Sequence, residues 1–373
     1  MTDDKVKVIS FYLPQFHITK ENNDFWGEGF TDWVSVKGAE PLFGEHRQPN
    51  VPKDENYYDL SKKDAIAWQI ELANEYGIYG FGMYHYWFKD GRSLLTKPAE
   101  IILANEDLDI PFMFIWDNNS WKRTWSKLDG GSWAPKIDAT IVSNKTQPEM
   151  LVEYQLGDEH DWKEHFEYLL KFFKDKRYIK NNNKPFIGIY TYSYNIDRMV
   201  EYWDKLSVES GFDGVEVIFR YDWKAHVPQN YNTYVYEPLY SGWGSHYQRL
   251  VRHYIIKNKL KIYSYDEVWR NIIKNAKKLD RANCYLGGFV NYDDTPRRGH
   301  KGTLIKNGTP EKFNKYINQL LNISKHRSND YLFLTAWNEW GEGAYLEPDE
   351  LNEFRYLEEL RKSLIATNNM RSK

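Results

Sequence analysis

Cysteine is almost missing from this chain. Cys284 is the single one, so no disulfide can form within it. It lies in the run Cys284-Tyr285-Leu286-Gly287-Gly288-Phe289-Val290, where a small buried hydrophobe is the expected role. Long apolar runs are missing too. No stretch approaches the ~18 continuous apolar residues of a membrane span, and Met1-Thr2-Asp3-Asp4-Lys5 carries no apolar signal region. Membrane insertion is therefore not expected, and a cytoplasmic location is. Excess charge of one sign is absent: 50 Lys and Arg face 53 Asp and Glu, for a net charge of -3. With no dense basic patch, nucleic acid is not an expected partner. There is no glycine-rich phosphate loop, no His-Glu-x-x-His and no paired-cysteine spacing. No cofactor and no metal are expected. The one ligand-rich string, Asp158-Glu159-His160-Asp161, precedes a helical pattern, and acids favour a helix N-terminus electrostatically.

Aromatic residues are abundant: 17%, with 15 Trp and 29 Tyr. Carbohydrate clefts use such rings, and a structural excess is the alternative. The most informative stretch is Trp337-Asn338-Glu339-Trp340-Gly341-Glu342-Gly343, directly after the apolar run Tyr331-Leu332-Phe333-Leu334. It sets Glu339 and Glu342 three residues apart among indoles. One acid can protonate a departing oxygen while the other takes a proton or attacks, and indole faces stack on sugars.

Apolar β-type runs recur at 6–13, 78–86, 111–117, 185–191, 215–222, 233–237, 284–291 and 331–337. Most are near-continuously apolar, as parallel strands covered on both faces are. Helical patterns fall at 61–76, 98–104, 162–174, 196–210, 246–257, 265–278, 310–324 and 351–365. Ser61 with Asp64, and Ser264 with Glu267, read as capping boxes; Thr309 and Pro310 read as an N-cap and first-turn proline. This mostly alternating order predicts an α/β fold, a (β/α)8 TIM-type barrel spanning 1–373 as one domain, with a doubly wound open sheet as the alternative. Long loops are expected after strands 1 and 3, at 14–59 and 118–184.

In a barrel the strand C-termini converge on one cleft. The residues there are Tyr12 and His17, with Trp33 in the long loop; Tyr84, His85 and Trp87; Trp116, Asp117 and Asn118, with Trp121 and Trp125 beyond; Arg220, Asp222 and Trp223; Glu237; Asn291, Asp293 and Arg297; and Trp337 and Trp340 beside the acid pair. All but Trp121, Trp125 and Trp223 are taken as candidate substrate contacts, with Glu339 and Glu342 as catalytic. Tyr84, His85 and Tyr236 read equally well as satisfied core residues. Arg297 and Arg298 either pair with Asp293 and Asp294 or hold an anionic group.

Phe11-Tyr12-Leu13-Pro14-Gln15-Phe16-His17, then Asn22-Asn23-Asp24-Phe25-Trp26-Gly27-Glu28-Gly29-Phe30-Thr31-Asp32-Trp33, resemble the opening of WbsX-type polysaccharide-biosynthesis proteins, which are glycoside hydrolase family 99-like. The resemblance continues through Tyr84–Phe88, Asp293–Arg298 and Trp337–Gly343 and covers nearly the whole chain. It implies a retaining endo-α-mannosidase-like barrel. Glu339 would take the proton of the sugar 2-hydroxyl, giving a 1,2-anhydro intermediate, and Glu342 would act as acid and then base. The strand-three end departs: relatives usually read Trp-Ala-Asn-Glu-Asn-Trp, and here it is Trp116-Asp117-Asn118-Asn119-Ser120-Trp121. The expected function is a retaining endo-glycosidase or transglycosylase on α-mannose- or α-rhamnose-like linkages of a bacterial surface polysaccharide, with an oligosaccharide or polysaccharide as partner. The alternatives are a sugar-nucleotide-dependent glycosyltransferase, using Asp293, Asp294, Arg297 and Arg298, and a non-catalytic glycan-binding barrel.

Overall fold

The computed structural model describes residues 5–122, 150–222, 226–242, 260–327 and 329–369. The expected helix at 246–257, and Trp125 and Trp223, lie outside the described residues.

Eight parallel strands close into a barrel: β1 (Lys7–Tyr12), β2 (Gly80–Trp87), β3 (Phe112–Trp116), β4 (Lys184–Ile189), β5 (Glu216–Tyr221), β6 (Asn232–Val235), β7 (Cys284–Phe289) and β8 (Tyr331–Thr335). Each pairs with its neighbour in sequence, and β1 closes the ring by pairing with both β2 and β8: Ile9 lies opposite Gly80 on one side and Phe333 on the other. All eight expected strands are present, each within a few residues of its sequence-read bounds. The open-sheet alternative falls to this closure.

Helices α1 (Lys20–Trp26) and α2 (Asp32–Lys37) occupy the long loop after β1. Then follow α3 (Lys63–Glu75), α4 (Lys97–Ala104), α5 (Glu159–Phe173), α6 (Ile196–Glu209), α7 (Tyr265–Lys278), the single turn α8 (Thr295–Arg298), α9 (Pro310–His326) and α10 (Arg355–Asn369). Two expected capping boxes do not form. Asp59 accepts from the Ser61 backbone N–H, so α3 starts at Lys63; Ser264 belongs to a short strand and makes no side-chain cap. A capping box does form where the ligand-rich string stands: Asp158 and Asp161 each take the other's backbone N–H region at the start of α5. Helix α10 starts four residues late because Asp349 accepts from the Asn352 N–H in a preceding turn.

The barrel interior explains much of the aromatic excess. Phe186, Tyr285 and Tyr331 pack together at its base, with ring centroids 5.5 to 5.9 Å apart. Phe11, Phe333 and Tyr234 form the next tier, and Tyr84 and Tyr236 lie above Phe11. Of the described tryptophans, only Trp68 and Trp121 are not buried. Most indoles therefore build the core, against the expectation that they line a cleft. Two short strands outside the barrel, Lys261–Ser264 and Thr303–Lys306, pair in parallel and tie the loop after β6 to the loop after β7. No helix among the described residues is long and apolar enough to cross a membrane.

Candidate active site

β8 ends at Thr335, and the chain then makes a small antiparallel hairpin, Glu339 opposite Ala344, around the 3₁₀ turn Trp340–Glu342. Side chains at i and i+3 eclipse on a 3₁₀ turn. Glu339 and Glu342 therefore leave the turn on one side. Gly343 closes it at φ 59°, in the left-handed region that glycine enters without strain. Asn338 pins the hairpin to the end of β1: its Oδ1 accepts from Leu13 N–H at 2.7 Å and its Nδ2 donates to Leu13 C=O at 3.0 Å.

Arg297, carried by α8, clamps the pair. Its Nη2 donates to Glu339 Oε1 at 2.7 Å and its Nη1 to Glu342 Oε1 at 3.0 Å. Nη2 also reaches Asp32 Oδ2 at 2.6 Å, at the start of α2. Gly341 leaves room for the guanidinium: a Cβ there would stand 2.5 Å from Arg297 Nε. Arg297 thus serves the acids and Asp32, and does not pair with Asp293. Burial pushes the Glu339 carboxyl well above the usual carboxylate range; Arg297 opposes the rise, and the neighbouring Glu342 and Asp32 charges add to it. Glu342 is the more open of the two, with 27% of its side chain exposed against 7% for Glu339.

The acids face a cleft of about 350 Å³. Its walls are Tyr84, Tyr86, Tyr190, Tyr236 and Tyr292, with Gln15, Asp117, Arg298, Lys261 and Leu239 among the other lining residues. The expected indole-walled trough is therefore a tyrosine-walled one. Asp117 is raised by burial and accepts from Asn119 Nδ2 at 2.5 Å.

Strand alternation decides which expected residues reach this cleft, because successive side chains point to opposite faces. Tyr84 and Asp117 line it, with Arg297, Glu339 and Glu342. Arg220 faces the barrel interior without lining the cleft, its guanidinium 3.7 Å from the centre of the Tyr190 ring. The residues of opposite parity turn to the helix layer. Tyr12 donates to Gln69 on α3. Trp337 lies past the end of β8, where strand alternation no longer applies, and packs on Phe81. His85 shares a 2.8 Å Nε2–Nε2 hydrogen bond with His165 on α5, and Trp87 stacks on the same His165. Trp116 donates to Trp87 C=O, and Glu237 accepts from both the hydroxyl and the N–H of Ser241.

Others are spent on loop contacts. His17 is buried, which lowers its pKa, and Trp33 donates to Tyr58 C=O while packing on Phe16 and Trp340. Trp340 stacks on Tyr345 and donates to Glu347. Asn118 is bonded twice to the Thr191 backbone. Asp222 is half-buried and does not line the cleft. Asp293 accepts from His46, Gln48 and Thr295, and Arg298 pairs with Asp294 at 3.4 Å. Of the four residues named for the glycosyltransferase alternative, Asp294, Arg297 and Arg298 line the acid cleft and Asp293 does not. Asn291 and Asp293 instead line a second, larger groove of about 800 Å³, which meets the acid cleft at Tyr292.

Tyr86, Tyr190 and Tyr292 line the cleft beyond the candidate contacts, and Asp32 and Glu347 join the acid turn. Asp32 was seen only within a motif; its distance in sequence from Arg297 hid it. Glu347 lies under the turn, buried, where it accepts from Trp340, Gln69 and Tyr58; burial pushes it up to about 7.

The sequence profile of the family described as "Glycosyltransferase WbsX" matches residues 8–360. The chain belongs to the WbsX family. It is similar to the WxcX proteins of two Xanthomonas campestris pv. campestris strains: 27% identical over 368 residues to that of strain B100, and 28% over 380 residues to that of strain ATCC 33913. Each alignment covers 96% of this chain, which spans about half the length of these relatives (49%). In fold the WbsX chain resembles a Bacteroides thetaiotaomicron GH99 endo-alpha-mannosidase, with a TM-score of 0.56, 13% identity and 98% of both chains covered. A solved glycoside hydrolase-like protein matches with a TM-score of 0.58 and 12% identity, over 98% of this chain and 95% of its own.

Proposed function

We propose that this WbsX-family protein is a carbohydrate-active enzyme of polysaccharide biosynthesis: a retaining endo-glycosidase or transglycosylase acting on α-mannose- or α-rhamnose-like linkages. The observation that carries this reading is the clamped pair Glu339 and Glu342 at the floor of a tyrosine-walled cleft on the C-terminal face of the barrel. Buried carboxylates held on one guanidinium are costly to a fold, and such sites are where function concentrates.

In this reading Glu339 takes the proton of the sugar 2-hydroxyl. O2 then bonds to C1 as the C1–O bond to the leaving group breaks, and Glu342 delivers its proton to the departing oxygen. Glu342 next removes a proton from the acceptor, which attacks C1 and opens the 1,2-anhydro ring, and O2 recovers its proton from Glu339. Two displacements return the original anomeric configuration. The tyrosine hydroxyls and Asp117 would hold sugar hydroxyls, and ring faces would cover the apolar side of the sugar.

Transfer to a sugar acceptor, the second reading, is favoured by the larger groove that opens beside the acid turn at Tyr292 and Gly343. A long acceptor could lie there while the acid cleft holds the donor.

The test is Glu342→Gln, assayed on α-mannose- and α-rhamnose-linked oligosaccharides by mass spectrometry. The unsubstituted protein should release or transfer sugars, and the variant should lose turnover by 10³-fold or more, on the order of general acid catalysis plus its charge, while its melting temperature and oligosaccharide binding hold. A variant with full activity would sink the assignment of roles.

A further inference from the structure

Arg297 meets three carboxylates with one positive charge: Asp32 at 2.6 Å, Glu339 at 2.7 Å and Glu342 at 3.0 Å. Asp32 and Glu339 share the same nitrogen, Nη2. Asp32 has 1% of its side chain exposed and Arg297 5%, so water screens neither. The Asp32 contact is not a by-product of helix capping, because α2 begins at Asp32 and its N-cap is Thr31. Asp32 comes from the loop after β1, Arg297 from the loop after β7 and the two acids from the loop after β8. No part of α2 carries an acid of the pair.

We propose that Asp32 is a positioning residue of the acid pair: it draws on the guanidinium nitrogen that also holds Glu339, and so governs how firmly Arg297 keeps Glu339 ionised. The inference rests on the reading of Glu339 as a base. An arginine devoted to Glu339 and Glu342 alone would bind the Glu339 carboxylate too well and make it a weak base. A third carboxylate on the same nitrogen takes part of that charge and adds its own repulsion, which leaves Glu339 readier to accept a proton. Asp117, Lys261 and Arg298 line the same cleft as charged groups outside the clamp. Tyr86 and Tyr236 lie near Glu339, and Tyr190, Tyr292 and Asp294 lie near Glu342. Asp294 is itself matched to Arg298.

The experiment is a carboxyl titration on the full chain, which needs no substrate. Glutamate is labelled at the carboxyl carbon with ¹³C, and the Glu339 signal is assigned as the one lost in Glu339→Gln. Asp32→Asn keeps the size of the side chain and an oxygen for Arg297 but removes the charge. The Glu339 midpoint should move down in Asp32→Asn and return toward its original position in Asp32→Glu, which restores the charge. A midpoint unmoved in Asp32→Asn, or lowered equally in Asp32→Glu, overturns the proposal. If Asp32→Asn does not fold, Asp32→Ser takes its place. Failure of every neutral residue at 32 to give a folded chain would mark Asp32 as a structural anchor and overturn it too. Because no glycan is involved, an inactive preparation tests the proposed reaction separately from this one.

Discussion

At the scale of single residues, the centre is a matter of who holds Arg297. Gly341 is the least obvious participant, since it contributes no side chain. A methyl at that position would press against the guanidinium from 2.5 Å, and the three carboxylates that hold Arg297 leave it little freedom to yield. Gly341→Ala should therefore displace Arg297 from both acids. We expect activity to fall by at least 10-fold, and stability by about 3–5 kcal/mol if a buried acid is left without its partner; chemical denaturation and turnover assays check both. In the proposed mechanism Glu339 also sets a pH limit. Its carboxyl is raised, chiefly by burial, and a base must be ionised to act. The acid limb of kcat/KM should accordingly lie above the ordinary glutamate value of 4.5, and it should vanish only with changes at Glu339 or its clamp. A limb at or below that value would show that Glu339 is not the group being titrated.

At the scale of elements, parity along each strand separates site from scaffold. The sequence made the eight strands legible, because their apolar runs are long enough and the turns between them polar enough to mark both ends. It also pointed to the strand mouths. It did not say which of two adjacent residues faces inward. Tyr84 and His85 look alike as candidates, yet one lines the cleft and the other meets His165 on α5. Asp117 and Trp116 divide in the same way. Counting in twos from Phe11 or Phe333, which face the barrel interior, would have sorted several of them. Asp32 was beyond any such rule, since no periodicity links it to Arg297. The division predicts opposite phenotypes. Tyr86→Phe, which keeps the buried ring and removes only the hydroxyl, should weaken oligosaccharide binding measured by calorimetry with little loss of fold. Trp116→Phe should leave binding unchanged while costing about 1–3 kcal/mol in urea unfolding, through lost packing and the lost bond to Trp87. The hairpin makes a third case: Asn338→Ala removes both ties to Leu13, should cost about 1–3 kcal/mol, and should lower turnover by loosening the acid turn.

At the scale of the whole molecule, buried titratable groups outside the clamp set the pH range of stability. Burial lowers His85 from 6.5 to about 3 and carries His165 the same way. The unfolded chain then binds more protons below about 6.5, so stability falls as pH drops beneath that value. Burial raises Glu347 to about 7 and Glu237 to about 8, both from 4.5. Here the folded chain holds more protons, so stability falls as pH rises above about 4.5 and continues to fall until each folded value is passed. The opposing slopes overlap between 4.5 and 6.5, where unfolding free energy should be nearly flat. Urea titrations from pH 4 to pH 9 test this; a steady rise toward pH 8 would contradict it.

The residues of the clamp stand at 32, 297, 339 and 342, and β1 is gripped on one side by β8, the last strand of the ring. A ribosome making this chain exposes Asp32 long before Arg297 and the two glutamates. Until the final strand docks beside the first, no guanidinium has its acids and no cleft has a floor. The clamp therefore forms only with closure of the ring, and the proposed chemistry depends on that closure.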